Sequence, residues 1–80
     1  MWLITVWRGL PQSYAEARAL HLAREEAPGA RAVVQGAELS GIDWVVRLWL
    51  FSSATDDLPR EAHVRLRGTD GEPLAFEVQA

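Results

Sequence analysis

The chain contains no cysteine, so no disulfide can staple it and thiol catalysis is excluded. Lysine is absent as well, and all eight basic residues are arginine, whose planar guanidinium brings bidentate donors wherever it is placed. No apolar run approaches the roughly 18–20 residues of a membrane span. The opening segment, MWLITVWRG, lacks the basic start and cleavage site of a signal peptide. The expectation is a soluble, cytoplasmic protein that does not engage a membrane. There is no internal repeat, no low-complexity tract and no linker long enough to divide the chain. No P-loop, dinucleotide fingerprint or Gly-x-Ser-x-Gly turn is present. The formal charge of −3 and pI near 5.2 weigh against wholesale binding to phosphate backbones.

What is present is a small, apolar, tryptophan-rich domain. Eighty residues make one domain, and at that size about 60–65% of the unfolded chain's surface is buried, so stability is marginal without help. That help has to come from a core fed by 49% apolar residues and four tryptophans, or from self-association.

The segment Glu61 to Ala80, EAHVRLRGTDGEPLAFEVQA, reads as two alternating strands and a tight turn. Ala62, Val64 and Leu66 share one face, as do Leu74, Phe76 and Val78. A three-residue loop, Thr69-Asp70-Gly71, sets Leu66 opposite Leu74, Val64 opposite Phe76 and Ala62 opposite Val78. Gly71 then takes the left-handed position of a type I turn with a G1 bulge.

Upstream, Trp2 to Arg8 reads as a strand, ended by Gly9 and Pro11. A helix follows, opened by a capping box of Ser13 and Glu16 and closed by Pro28-Gly29. At 100° per residue Ala15, Ala19, Leu20, Leu22, Ala23 and Ala27 collect on one side, and Tyr14, Arg18, His21, Arg24 and Glu25 on the other. Small residues along the buried stripe let the helix lie close to a sheet. Ala30 to Gly36 and Ile42 to Ser52 read as two further strands. A two-residue turn at Ser40-Gly41 would set Glu38 against Asp43. A three-residue loop, Leu39-Ser40-Gly41, instead pairs Ala32 with Leu48, Val34 with Val46 and Gly36 with Trp44, and it is the better register. Residues 53 to 60 form a polar connection with room for one helical turn.

The order is therefore β-α-β-β-β-β, an α+β fold in which an antiparallel sheet wraps a single long helix. A ferredoxin-like variant is the alternative, although its second helix is missing. This order resembles the cystatin layout, where a sheet wraps one helix and hairpin loops plug protease clefts. The family's Gln-x-Val-x-Gly hairpin is not present, the order here being Val33-Val34-Gln35-Gly36. Its Pro-Trp loop is matched only by Thr69 to Pro73, without tryptophan, so protease inhibition does not carry over. Dodecins also begin strand-helix-strand-strand but lack the last hairpin, and flavin binding does not carry over either.

The anomaly lies on the strand after Ile42. If Ile42, Trp44, Val46, Leu48 and Leu50 pack on the helix, then Asp43, Val45, Arg47, Trp49 and Phe51 look the other way, where a solvated sheet face should be polar. If Ile4 and Val6 point inward, parity adds Leu3, Thr5 and Trp7 from the first strand, and the last two strands add His63, Arg65, Arg67, Glu77 and Gln79. Trp7, Val45, Arg47, Trp49, Phe51 and Arg65 are thus the candidate partner-binding residues, because exposed aromatic patches with arginine commonly carry interface energy.

No catalytic residues, metal ligands or cofactor are assigned. His21 and His63 stand on different elements without metal-ligand spacing. The Tyr14–Arg18–His21–Glu25 row reads as a solvated helix face. Asp56-Asp57 and Thr69-Asp70-Gly71 lack the spaced oxygens of a calcium loop. The expectation is a non-enzymatic adaptor or antagonist, of the kind phage or mobile elements encode, binding a protein partner and a second copy of itself. Single-stranded nucleic acid held by Arg47, Trp49, Arg65 and Arg67 is the second reading. A ligand-binding or enzymatic site at an oligomer junction is the third.

Overall fold

A computed structural model describes residues 9–52 and 58–79. Within them one helix, α1 (Gln12–Glu26), precedes four strands: β1 (Ala30–Ser40), β2 (Asp43–Ser52), β3 (Arg60–Arg67) and β4 (Pro73–Val78). The strands form one antiparallel sheet in sequence order, with β1 and β4 at its edges among the described residues. The expected α+β class, a single helix packed on an antiparallel sheet, is what the chain adopts. The strand expected at Trp2 to Arg8 lies outside the described residues, as does any helical turn within 53–57.

The helix buries Ala15, Ala19 and Ala23 on one stripe, with Leu20, Leu22 and Ala27 packed at its margins. Methyl groups at i, i+4 spacing let the helix axis approach the sheet closely. It lies over β1 and β2 and reaches β3 only at the border. Beneath it Trp44, Val46, Leu48 and Leu50 of β2 and Ala62, Val64 and Leu66 of β3 are buried. Each fully covered leucine or valine of this set contributes about 1.5–3 kcal/mol.

The helix does not begin with the expected capping box. Its N-cap is Pro11, with no side-chain cap, and Ser13 sits exposed inside the first turn while the Gln12 amide donates to Glu16 Oε2 at 2.8 Å. Tertiary contacts fix the start instead. Leu10 N–H donates to Gly68 O (2.7 Å), and the Trp44 indole N–H donates to Leu10 O (2.9 Å). Chain entry is thereby set one residue before Pro11, a residue suited to a helix start because it has no N–H to leave unpaired.

The β1–β2 hairpin adopts neither expected register. Its turn is Gly41-Ile42, with Ser40 opposite Asp43 and Leu39 opposite Trp44. Gly41 is left-handed at φ +65° and Ile42 is not, the pattern of a type II′ turn. Ile42, expected in the core, is 64% exposed at the turn. A bulge at Gln35 absorbs the offset, so that Gly36 faces Arg47 while Val34 faces Leu48 and Ala32 faces Leu50. The extra residue switches side-chain parity: Ala32 and Val34 look toward the helix before it, Ala37 and Leu39 after it.

In the second hairpin Val64 faces Phe76 and Ala62 faces Val78, as expected, but Leu66 faces Pro73 rather than Leu74. Gly71, at φ +77°, donates to Arg67 O (2.8 Å) while Arg67 N–H donates to Glu72 O (2.9 Å), so two residues oppose one in a G1 bulge. The loop is one residue longer than expected, and a second irregularity at Leu74 restores the register. Leu74 is left exposed.

Candidate interaction face

Strict alternation along β2 puts Asp43, Val45, Arg47, Trp49 and Phe51 on the side away from the helix. The ladder then assigns neighbours in rows. Phe51 stands opposite Arg31; Trp49 opposite Val33 and Glu61; Arg47 opposite Gly36 and His63; Val45 opposite Glu38 and Arg65. Beyond β3, Glu77 lies beside His63 and Ala75 beside Arg65. An apolar line of Val45, Trp49 and Phe51 therefore runs along the centre of a charged surface, joined by Val33 at its side.

The line is half-buried rather than bare, and long polar side chains flank it. Arg31 stacks its guanidinium over the Phe51 ring at 4.9 Å, a cation–π contact. Arg47 lies across Gly36, where an added Cβ would stand 3.2 Å from Arg47 Nη2. Arg65 Nη1 meets Asp43 Oδ2 at 3.0 Å, and Arg67 Nη1 meets Asp70 Oδ2 at 3.1 Å. His63 Nε2 stands 2.6 Å from Glu61 Oε1. Two shallow depressions open on solvent here. One, of about 230 Å³, is lined by Val45, His63, Arg65, Ala75 and Glu77. The other, of about 470 Å³, lies between Trp49, Leu58, Pro59, Arg60, Glu61 and Gln79, with Leu58 87% exposed at its rim.

Five of the six sequence-derived candidates, Val45, Arg47, Trp49, Phe51 and Arg65, thus share one face. The sixth, Trp7, lies outside the described residues. Arg31 and Glu38 join the face although neither was named as a candidate: Arg31 looks outward in the expected register too, opposite Trp49 rather than Phe51, whereas Glu38 reaches the outer side only through the bulge at Gln35. For the nucleic-acid reading, the arginines of the face are partly neutralised: Arg65 and Arg67 already hold carboxylates, and Glu61 adjoins Trp49. On the helix, His21 and Glu25 pair at 2.7 Å across an exposed surface, an arrangement worth a few tenths of a kcal/mol. Among the described residues no helix is long and apolar enough to cross a membrane. Comparison with protein families, characterised proteins and solved structures finds no match.

Proposed function

We propose that this chain is a non-catalytic protein-binding module, an adaptor or antagonist, whose working surface is the outer face of the sheet. The observation that carries the reading is the line Val45–Trp49–Phe51 on the side the helix leaves open, with Arg47 and Arg65 beside it. Aromatic rings give large contact area for little lost side-chain freedom, and flanking guanidinium groups add directed hydrogen bonds. A partner presenting carboxylates around an apolar centre would exchange with Asp43 for Arg65 and meet Arg47 directly.

Affinity capture from the native host tests this with three chains: wild type, Trp49→Glu, and Glu26→Arg on the exposed helix surface. Circular dichroism first establishes that all three are folded. One partner retained by wild type and Glu26→Arg but lost from Trp49→Glu is the expected result. Equal retention by Trp49→Glu overturns the reading. A labelled single-stranded oligonucleotide titrated at about 50 mM salt should show no binding; salt-sensitive binding there would replace a protein partner with nucleic acid.

A further inference from the structure

We propose that two copies of this chain associate through the open edge of β1, in a symmetric antiparallel pair with Arg31 of each copy opposite Glu38 of the other. This stands on the backbone edge of β1 and does not require the outer-face reading, although Arg31 and Glu38 also border that face.

β1 is the longest strand, Ala30–Ser40, and among the described residues nothing pairs with its outer edge. An unpaired edge of that length is a template for another strand unless charges, proline, bulges or covering structure blunt it. Among the described residues this edge carries no lysine, no proline and no covering strand, and its bulge at Gln35 and its charges at Arg31 and Glu38 admit only a partner that matches them. The two-residue turn makes Ser40 and Asp43 a hydrogen-bonded pair. Alternation from there points the backbone groups of Ala37 and Leu39 to the open edge and, past the bulge, those of Ala30, Ala32 and Val34.

The bulge then restricts which self-pairings are allowed. Directly opposed residues on antiparallel strands share a face. Arg31 and Val33 look outward before Gln35, and Gly36 and Glu38 look outward after it. Only registers that set an odd-numbered residue against an even-numbered one across the axis keep faces matched. One of these places Ala30 opposite Leu39, Arg31 opposite Glu38, Ala32 opposite Ala37 and Val33 opposite Gly36 of the second copy. On either side of the axis, where Val34 meets the bulged Gln35, it joins edge-pointing backbone groups to edge-pointing backbone groups and makes two Arg–Glu pairs. Sliding by two residues puts Glu38 against Val33 and loses both pairs.

The helices also fit. With strands about 4.8 Å apart and α1 over the β1–β2 pair, two copies bring their helices to about 10 Å, an ordinary packing distance. Tyr14 and Arg18 border Gly71 at the far side of α1, so half-buried Leu20 occupies the flank nearer the axis.

Analytical ultracentrifugation of the full chain tests the pairing. Wild type should dimerise, and Arg31→Glu or Glu38→Arg alone should raise the dissociation constant about tenfold or more by placing like charges opposite each other twice. The double variant, Arg31→Glu with Glu38→Arg, should restore the dimer. Ala32→Pro removes a donor aimed at the open edge and should yield a folded monomer, whereas Val33→Pro removes a ladder bond to β2 and should unfold the chain. Trp49→Glu should leave the dimer intact, which separates this pairing from the outer-face interaction. A wild type that stays monomeric at millimolar concentration overturns the proposal. So does a dimer indifferent to both Arg31→Glu and Ala32→Pro.

Discussion

At the β1–β2 turn Gly41 has φ +65°, and a side chain added there would meet nothing within 4 Å. At the β3–β4 turn Gly71 has φ +77°, but an added Cβ would stand 3.0 Å from Leu10 Cδ1 and 3.2 Å from Tyr14 Cε1. Both turns use glycine because L side chains are strained in the left-handed region. Only the second also uses its emptiness. The loop 68–71 is pressed beneath the start of the helix, where Leu10 N–H binds Gly68 O and Gly68 N–H binds Ile42 O. One hydrogen-bonded relay thus joins helix entry and both turns at one end of the sheet. The comparison separates backbone strain, common to both glycines, from packing, which only Gly71 adds.

Alanine at each glycine in turn separates strain from crowding. Gly71→Ala should cost about 2–3 kcal/mol, combining left-handed strain with displacement of Leu10 and Tyr14, whereas Gly41→Ala should cost about 1 kcal/mol from strain alone. Urea denaturation of the two variants reads the difference. Equal losses would mean that Leu10 and Tyr14 yield freely and that the crowding carries no energy.

A smaller effect sharpens the assignment of that crowding. Trp44→Phe keeps most of the buried ring but removes the indole N–H that holds Leu10 O, and should cost about 1 kcal/mol. Because Leu10 also meets the Cβ position of Gly71, the double variant Trp44→Phe with Gly71→Ala should lose less than the sum of the two. Additive losses would show that Trp44 and Gly71 act on separate parts of the helix start.

The two turns also differ in how far they could be read beforehand. Thr-Asp-Gly between two alternating runs carries its own turn chemistry, so the left-handed role of Gly71 and the pairing of Val64 with Phe76 were legible from neighbouring residues. The loop length was not, because it depends on how Gly68 docks under Leu10. Around Gly41 the string Leu39-Ser40-Gly41-Ile42 accommodates several turns, and the one adopted requires an extra residue at Gln35. That choice is tied down by Gly68 N–H to Ile42 O, a contact from 26 residues away, and no local pattern reports it. The capping box failed for the same kind of reason: Ser13 had a suitable partner in Glu16, but Leu10 had better ones in Gly68 and Trp44. Alternation along β2 was robust, since a one-residue slip would have exposed Val46 and Leu48. It therefore placed Val45, Arg47, Trp49 and Phe51 together, while Glu38 depended on the unforeseen bulge and Arg31 met Phe51 only through the shifted register.

A carboxylate also anchors the turn that Gly71 closes. Asp70 accepts the Glu72 N–H at Oδ1 (3.0 Å) and holds Arg67 at Oδ2 (3.1 Å). The Glu72 amide first, and the Arg67 guanidinium with it, holds the Asp70 carboxyl below its ordinary value of 3.8. A carboxyl with a depressed folded pKa adds stability above its unfolded value, and that contribution is lost as pH falls through the folded value. Asp70→Asn keeps an acceptor for the Glu72 N–H but gives up the charge. The variant should therefore melt slightly lower than wild type at neutral pH, and the two should converge as pH drops below the ordinary value. Added salt should narrow the neutral-pH gap, because the Arg67 pair is exposed. Gly41 has no such carboxylate-anchored turn beside it, so Asp43→Asn, which loosens Arg65 on the outer face instead, should leave the β1–β2 turn unchanged. A melting difference for Asp70→Asn that persists undiminished at low pH would assign the effect to the amide's geometry and remove charge from the account of this turn.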